Sequence, residues 1–151
     1  MPNDPHCLMN FPPDRIIVAD TCNHRIQIFT TEGELLAVLG SVGREAGQFD
    51  YPYDLALGSD GLIYVCEYGN NRIQAIDQQG ESKAVFGRAG TAIGEFAAPW
   101  GIAAGPGEEL FVADTNNHRV QVVGADVLRK GHERIGGRQG KQGTREIRGG
   151  A

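Results

Sequence analysis

Val18-Ala19-Asp20-Thr21-Cys22-Asn23-His24-Arg25-Ile26-Gln27 returns as Val65-Cys66-Glu67-Tyr68-Gly69-Asn70-Asn71-Arg72-Ile73-Gln74, 47 residues later. It returns again, at the same offset, as Val112-Ala113-Asp114-Thr115-Asn116-Asn117-His118-Arg119-Val120-Gln121. Gly40, Gly43, Gly47 and Phe49 recur in the same register at Gly87, Gly90, Gly94 and Phe96, and Pro5, Pro52 and Pro99 open the three units. A gapless period of this length marks a tandem array in which each unit is one supersecondary element.

The middle unit carries the local signals of four short strands. Leu55–Leu57 is a brief apolar strand after Pro52. The cluster Gly58-Ser59-Asp60-Gly61 is a hairpin turn, and Leu62–Cys66 is an unbroken apolar run of the kind buried on both faces. Residues 67–71 turn again, Arg72–Ile76 is a third strand, and Asp77-Gln78-Gln79-Gly80 leads to a fourth at Ser82–Phe86. Four antiparallel strands per repeat, joined by tight turns, are the sequence form of a β-propeller blade. The expected class is all-β, an open propeller of about two and a half blades. Residues 1–4 lead in, 5–51 and 52–98 form the first two blades, and 99–123 form an incomplete third. After Val123 the register is lost: residues 124–151 hold eight glycines, ten charges and few large apolar side chains. That stretch is expected to be a disordered basic tail, because it buries too little surface to offset its ordering entropy.

Composition narrows the function classes. Glycine makes up 22 of 151 residues, about twice the usual share. No apolar run approaches the roughly 18 residues of a membrane span, and the first residues lack a secretory signal, so the chain as written reads as soluble and intracellular. Three cysteines without a CxxC pair read as reduced thiols. The net charge of −5 divides into seven Lys and Arg against sixteen Asp and Glu over residues 1–123, and seven against three beyond. A body this acidic disfavours nucleic acid as a general partner.

The Val-Ala-Asp-Thr-x-Asn-His-Arg-hydrophobic-Gln run, followed by Gly-Gln-Phe or Gly-Glu-Phe and Pro, resembles the NHL repeat over roughly residues 5–123. The resemblance implies a six-bladed ring of which this chain supplies fewer than three blades. The expectation is therefore a fragment of a longer propeller, two copies closing one ring as a homodimer, or a marginal monomer. It also implies a binding face built from the turns between second and third strands and the links between blades. On that face fall Asn23, His24, Arg44, Tyr51, Tyr53, Tyr68, Asn71, Arg88, Trp100, Asn117 and His118. Some NHL-type propellers are metal-dependent lyases or lactonases and others bind RNA, and both readings stand as alternatives.

The pairs Asp20/Arg25, Glu67/Arg72 and Asp114/Arg119 flank one turn in every unit, so they are expected to be architectural fasteners; a catalytic acid–base pair would normally occur once. No metal or cofactor is expected: His24 and His118 lie two blades apart with Asn71 between them, and Asp54 has Cys7 and Gly101 as its equivalents. There is no GxSxG motif and no Ser or Cys with an identifiable base. The expected function is a non-catalytic binding or scaffold module that presents a propeller face to a protein or peptide.

Overall fold

The computed structural model describes residues 7–11, 14–124, 127 and 143–148. Its strands are β1 (Cys7–Phe11), β2 (Arg15–Asp20), β3 (Arg25–Thr30), β4 (Leu35–Leu39), β5 (Pro52–Leu57) and β6 (Ile63–Glu67). They continue as β7 (Arg72–Ile76), β8 (Ser82–Phe86), β9 (Pro99–Ala104), β10 (Leu110–Asp114), β11 (Arg119–Val123) and β12 (Thr144–Ile147). They form three four-stranded antiparallel sheets, each in sequence order, β1 to β4, β5 to β8 and β9 to β12. In each blade the first strand is innermost: β5 lies against β1 and β2, and β9 against β5 and β6.

The blades stack face to face over two apolar layers. Between blades 1 and 2, Ile17, Ala19, Ile26, Ile28 and Leu39 meet Leu55, Ile63, Val65 and Ile76. Between blades 2 and 3, Tyr64, Cys66, Ile73 and Ala75 meet Ile102, Leu110, Val112 and Val123. Blade 2 is covered on both sides, so every residue of β6 and β7 is buried. This is why Leu62–Cys66 reads as a continuous apolar run instead of an alternating one. Cys66 is fully buried in the second layer, a small core residue as its place in the repeat predicts, while Cys22 is exposed in its turn.

Each link between blades folds back on itself. Val42 bridges Phe49, and Ala89 bridges Phe96. The fully buried phenyl rings sit under Gly40 and Gly87, where an added Cβ would lie 2.3 and 2.4 Å from ring carbons. Both glycines also have φ near +90°, a conformation that side-chain-bearing residues rarely take, so the repeated Gly…Phe spacing has a steric cause.

The structure differs from the sequence expectation in the third blade. Thr144–Ile147, which the sequence places in a disordered tail, pairs with β11 as a fourth strand: Val120 faces Ile147 and Val123 faces Thr144. In blade 2 the corresponding partner of Ile73 is Phe86. Ile147 thus stands 61 residues after Phe86, fourteen beyond the period. The edge of β11 offers a row of unpaired backbone groups, and backbone pairing is indifferent to the side chains that bring it. Most of the remaining tail expectation falls on positions outside the described residues.

Candidate functional site

The recurring acid–arginine pairs are the structural centre of each joint. In blade 2, Arg72 Nε donates to Glu67 Oε2 at 2.7 Å, while its Nη groups donate to the carbonyls of Arg44 at 2.6 Å, Glu45 at 3.2 Å and Gln48 at 3.0 Å. Gln74 Nε2 donates to the Gln48 carbonyl, and its Oε1 accepts the Gly47 N–H at 2.7 Å. Asn70 Nδ2 donates to the Gly43 carbonyl, and Glu67 accepts the Asp50 N–H. Blade 3 repeats the set: Arg119 binds Asp114 and the carbonyls of Ala92 and Glu95, Gln121 takes the Gly94 N–H, and Asn117 holds the Gly90 carbonyl. Asp114 accepts the Ala97 N–H. One acid, one arginine, one glutamine and one asparagine thus clamp the backbone of the preceding link. These acids and arginines all bond to each other and to the backbone of the link.

In blade 1 the pair is kept, and among the described residues Arg25 holds no link carbonyl. Arg25 Nε donates to Asp20 Oδ2 at 2.7 Å, as Gln27 Nε2 does at 2.8 Å. The Arg25 side chain is 38% exposed, against 10% for Arg72 and 3% for Arg119. The protonation of the acids follows. Burial pushes Asp20 upward, but the hydrogen bonds of Arg25, Asn23 and Gln27 together outweigh it and hold the carboxyl below its usual value. For Glu67, burial prevails over Arg72, Asn70 and the Asp50 N–H, and the carboxyl is raised.

Two residues assigned to a binding face belong to the same joints. His24 Nδ1 accepts the Tyr51 N–H at 3.1 Å, and Asn71 Oδ1 accepts the Ala98 N–H at 2.8 Å. With Nδ1 used as an acceptor, its 3.3 Å approach to Asp50 Oδ1 is a contact and not an ion pair. The exchange of His for Asn between units thus preserves one acceptor at one place. All three equivalents, His24, Asn71 and His118, have left-handed backbone. Asp54, weighed as a cation ligand, accepts the Ile102 N–H at 2.8 Å and so ties blade 2 to blade 3 at the innermost strands. Among the described residues, no three His, Cys, Asp or Glu side chains converge as metal ligands.

The structure gathers the aromatic residues into one run. His24 meets Tyr51 edge-on at 4.5 Å between ring centroids, Tyr51 meets Tyr68 at 6.5 Å, Tyr68 meets Tyr53 at 4.9 Å, and Tyr53 meets Trp100 at 5.6 Å. The run crosses from the blade 1 turn, over the link and the blade 2 turn, to the innermost strand of blade 3. Backbone bonds from Tyr68 N to the Tyr51 carbonyl and from Gly69 N to the Asp50 carbonyl hold the turn on the link. Tyr51 and Trp100 are 41% and 57% exposed, large values for rings of that size.

The sequence places Arg44 and Arg88 beside these rings, and the structure separates them. They line a cleft of about 330 Å³ with Gly69, Asn70, Asn71, Arg72, Val85 and Gly87, toward the outer strand, and no aromatic residue lines it. Arg88 is paired with Glu95 at 2.9 Å. Asn117 is bound in its joint and His118 is exposed. Sequence reasoning missed the link carbonyls, which are the groups that Arg72 and Arg119 bind. A signal existed in the fixed spacing from Gly43 to Asn70 and from Gly90 to Asn117.

Three segments, residues 3–29, 49–76 and 96–123, together more than half of the chain, match the NHL repeat family model. Among curated protein sequences nothing matches. A catalytically inactive virginiamycin B lyase from Staphylococcus aureus, crystallised with quinupristin, superposes with a TM-score of 0.68 at 20% identity, over 98% of this chain and 43% of that one. The structure of U3-55K gives 0.69 at 17% identity, over 99% of this chain and 40% of that one. A chain of a nidogen/laminin complex gives 0.60 at 12% identity, over 82% of this chain and 44% of that one. The chain spans less than half of each, and likeness at this identity concerns the propeller fold. Among the described residues no helix is long and apolar enough to cross a membrane.

Proposed function

The chain belongs to the NHL-repeat family, and from that premise we propose that it is a binding module that engages a protein or peptide through its link-and-turn face. The observation carrying this reading is the aromatic run from His24 to Trp100, in which the rings of Tyr51 and Trp100 are exposed. Such rings supply large, rigid contact area at low entropic cost and dominate recognition surfaces. The rings stand edge-to-face, with interplanar angles of 62° for Tyr53/Tyr68 and 71° for Tyr53/Trp100. That leaves notches for side chains instead of one flat platform for successive bases, and the acidic body also favours a peptide over a nucleic-acid strand. The solved structures of similar fold include a lyase and a member of a protein complex, so fold alone leaves the enzymatic alternative to be tested.

Trp100 is the single tryptophan, so its fluorescence reports directly on this face. A display library of short random peptides, selected on the chain and titrated individually, is expected to give ligands that shift Trp100 emission. Tyr51→Ala should weaken them about tenfold or more, a loss of 1–2 kcal/mol. Poly-uridine binding tighter than any selected peptide, with the same shift, would replace this reading with the RNA one.

A further inference from the structure

Each joint between blades has two halves, a trailing face on one blade and a leading face on the next, and among the described residues each half occurs once more without a facing sheet. The leading faces of blades 2 and 3 bury Ile63, Val65, Ile76, Leu110, Val112 and Val123 almost completely. On blade 1 the equivalent of Val65, Val18, is buried, but those of Ile63 and Ile76, Ile16 and Phe29, are only half-buried, and above them on β4 Leu36 and Val38 are 49% and 46% exposed. The trailing face of blade 2 includes Ala56, Tyr64 and Phe86 in its packed layer. Their equivalents on blade 3 are Ala103, which is exposed, Phe111, which is half-buried, and Ile147, which is 47% exposed.

The polar part of the joint is open in the same place. Among the described residues the Nη groups of Arg25 hold no link carbonyl, where those of Arg72 hold three. Among the described residues Gln27 Oε1 likewise accepts no glycine N–H of the kind that Gln74 and Gln121 accept. Charge-assisted donors already oriented by a carboxylate lose little freedom on binding, so this rim favours a backbone-bearing partner in a fixed register.

We infer that a second copy of this chain docks head to tail, the trailing face of its blade 3 on the leading face of blade 1, repeating the joint found twice within the chain. The two surfaces differ, so the contact is heterologous: it closes if the rotation of the blades permits and otherwise runs on into longer assemblies. A second copy is complementary because the joint it would form is the one already found between blades 1 and 2 and between blades 2 and 3.

Sedimentation velocity of the 151-residue chain from about 1 to about 300 μM tests this, a range that brackets ordinary weak homodimers. The expected result is a concentration-dependent rise to twice the chain mass or beyond. Leu36→Asp with Val38→Asp blocks the leading face, and Ala103→Asp with Ile147→Asp blocks the trailing face. All four sites are exposed or nearly half-exposed, so far-UV circular dichroism and melting should match the parent. Each double variant alone should lose association by about 100-fold, whereas a one-to-one mixture should form a dimer near parental affinity through its one intact pair of faces. Arg25→Ala should weaken association about tenfold. A parent chain that stays at single mass throughout would overturn the inference and leave the faces to blades of another polypeptide. A mixture as monomeric as its folded components would also overturn it.

Discussion

Blade 1 and blade 2 carry the same fastener, acid, asparagine, arginine and glutamine at the same spacing, yet it does different things in the two places. In blade 2 it is sealed between sheets, the Glu67 side chain has no exposure, and the arginine spends its donors on the link backbone. In blade 1 the same ions meet at the same 2.7 Å, but the arginine remains substantially in solvent. A motif fixes geometry; the neighbour that covers it fixes its energetic weight. An exposed pair contributes about 0–1 kcal/mol, whereas removing one partner of a buried pair costs about 3–5 kcal/mol because a charge is left stranded.

The sharpest way to break that comparison is a matched pair of substitutions. Arg72→Ala should destabilise by about 3–5 kcal/mol and lower the melting temperature by roughly 10 °C, while Arg25→Ala should cost about 1 kcal/mol or less. Equal losses in thermal melts would mean that the cover of blade 2 does not matter. Next in size, Gly87→Ala should cost about 2–3 kcal/mol, from a left-handed backbone and a Cβ driven onto the Phe96 ring. Phe96→Leu should recover part of that loss if the ring contact is the cause.

The two acids should also titrate stability in opposite senses. Asp20, lowered in the native state, contributes stability that is complete above the usual aspartate value near 3.8 and lost as pH falls through its native value. Glu67, raised, contributes most below its ordinary value of 4.5 and less as pH rises from there toward its native value. Melting curves from pH 3 to 7 should therefore show the Asp20→Asn penalty shrinking toward acid and the Glu67→Gln penalty growing. The smallest effect is a gain. Glu108 sits at φ +60° where the equivalent residue of blade 2 is Gly61, so Glu108→Gly should stabilise by about 0.5–1 kcal/mol in urea unfolding.

The array and its strands were legible because both depend on side-chain pattern. The apolar run at 62–66 becomes β6 within a residue, and Arg72–Ile76 and Ser82–Phe86 form as the sequence predicts. The ion pairs were legible from spacing alone, since residues five apart across a tight turn face each other on paired strands. Strand β12 was not, for a physical reason. Thr144-Arg145-Glu146-Ile147 has no apolar face of its own and arrives fourteen residues out of phase, held by backbone pairing and by Glu146 reaching Arg119 at 3.1 Å. On the candidate site, residue type located the rings but not their company. Tyr51, Tyr53, Tyr68 and Trp100 come together because turn and link are bonded backbone to backbone. Arg44 and Arg88 diverge because they lie further along the links toward the outer strands.

The clamp on the links grips only main-chain oxygens and nitrogens. Position 44 in one link corresponds to Thr91 in the other, Glu45 to Ala92 and Ala46 to Ile93, yet both loops are seized by the same arginine and glutamine. At these three positions the clamp makes no demand on the identity of the side chain. A scaffold so arranged invites rewriting: evolution or an engineer can graft new residues onto these loop crests and change what the surface recognises while the frame beneath stays as it is.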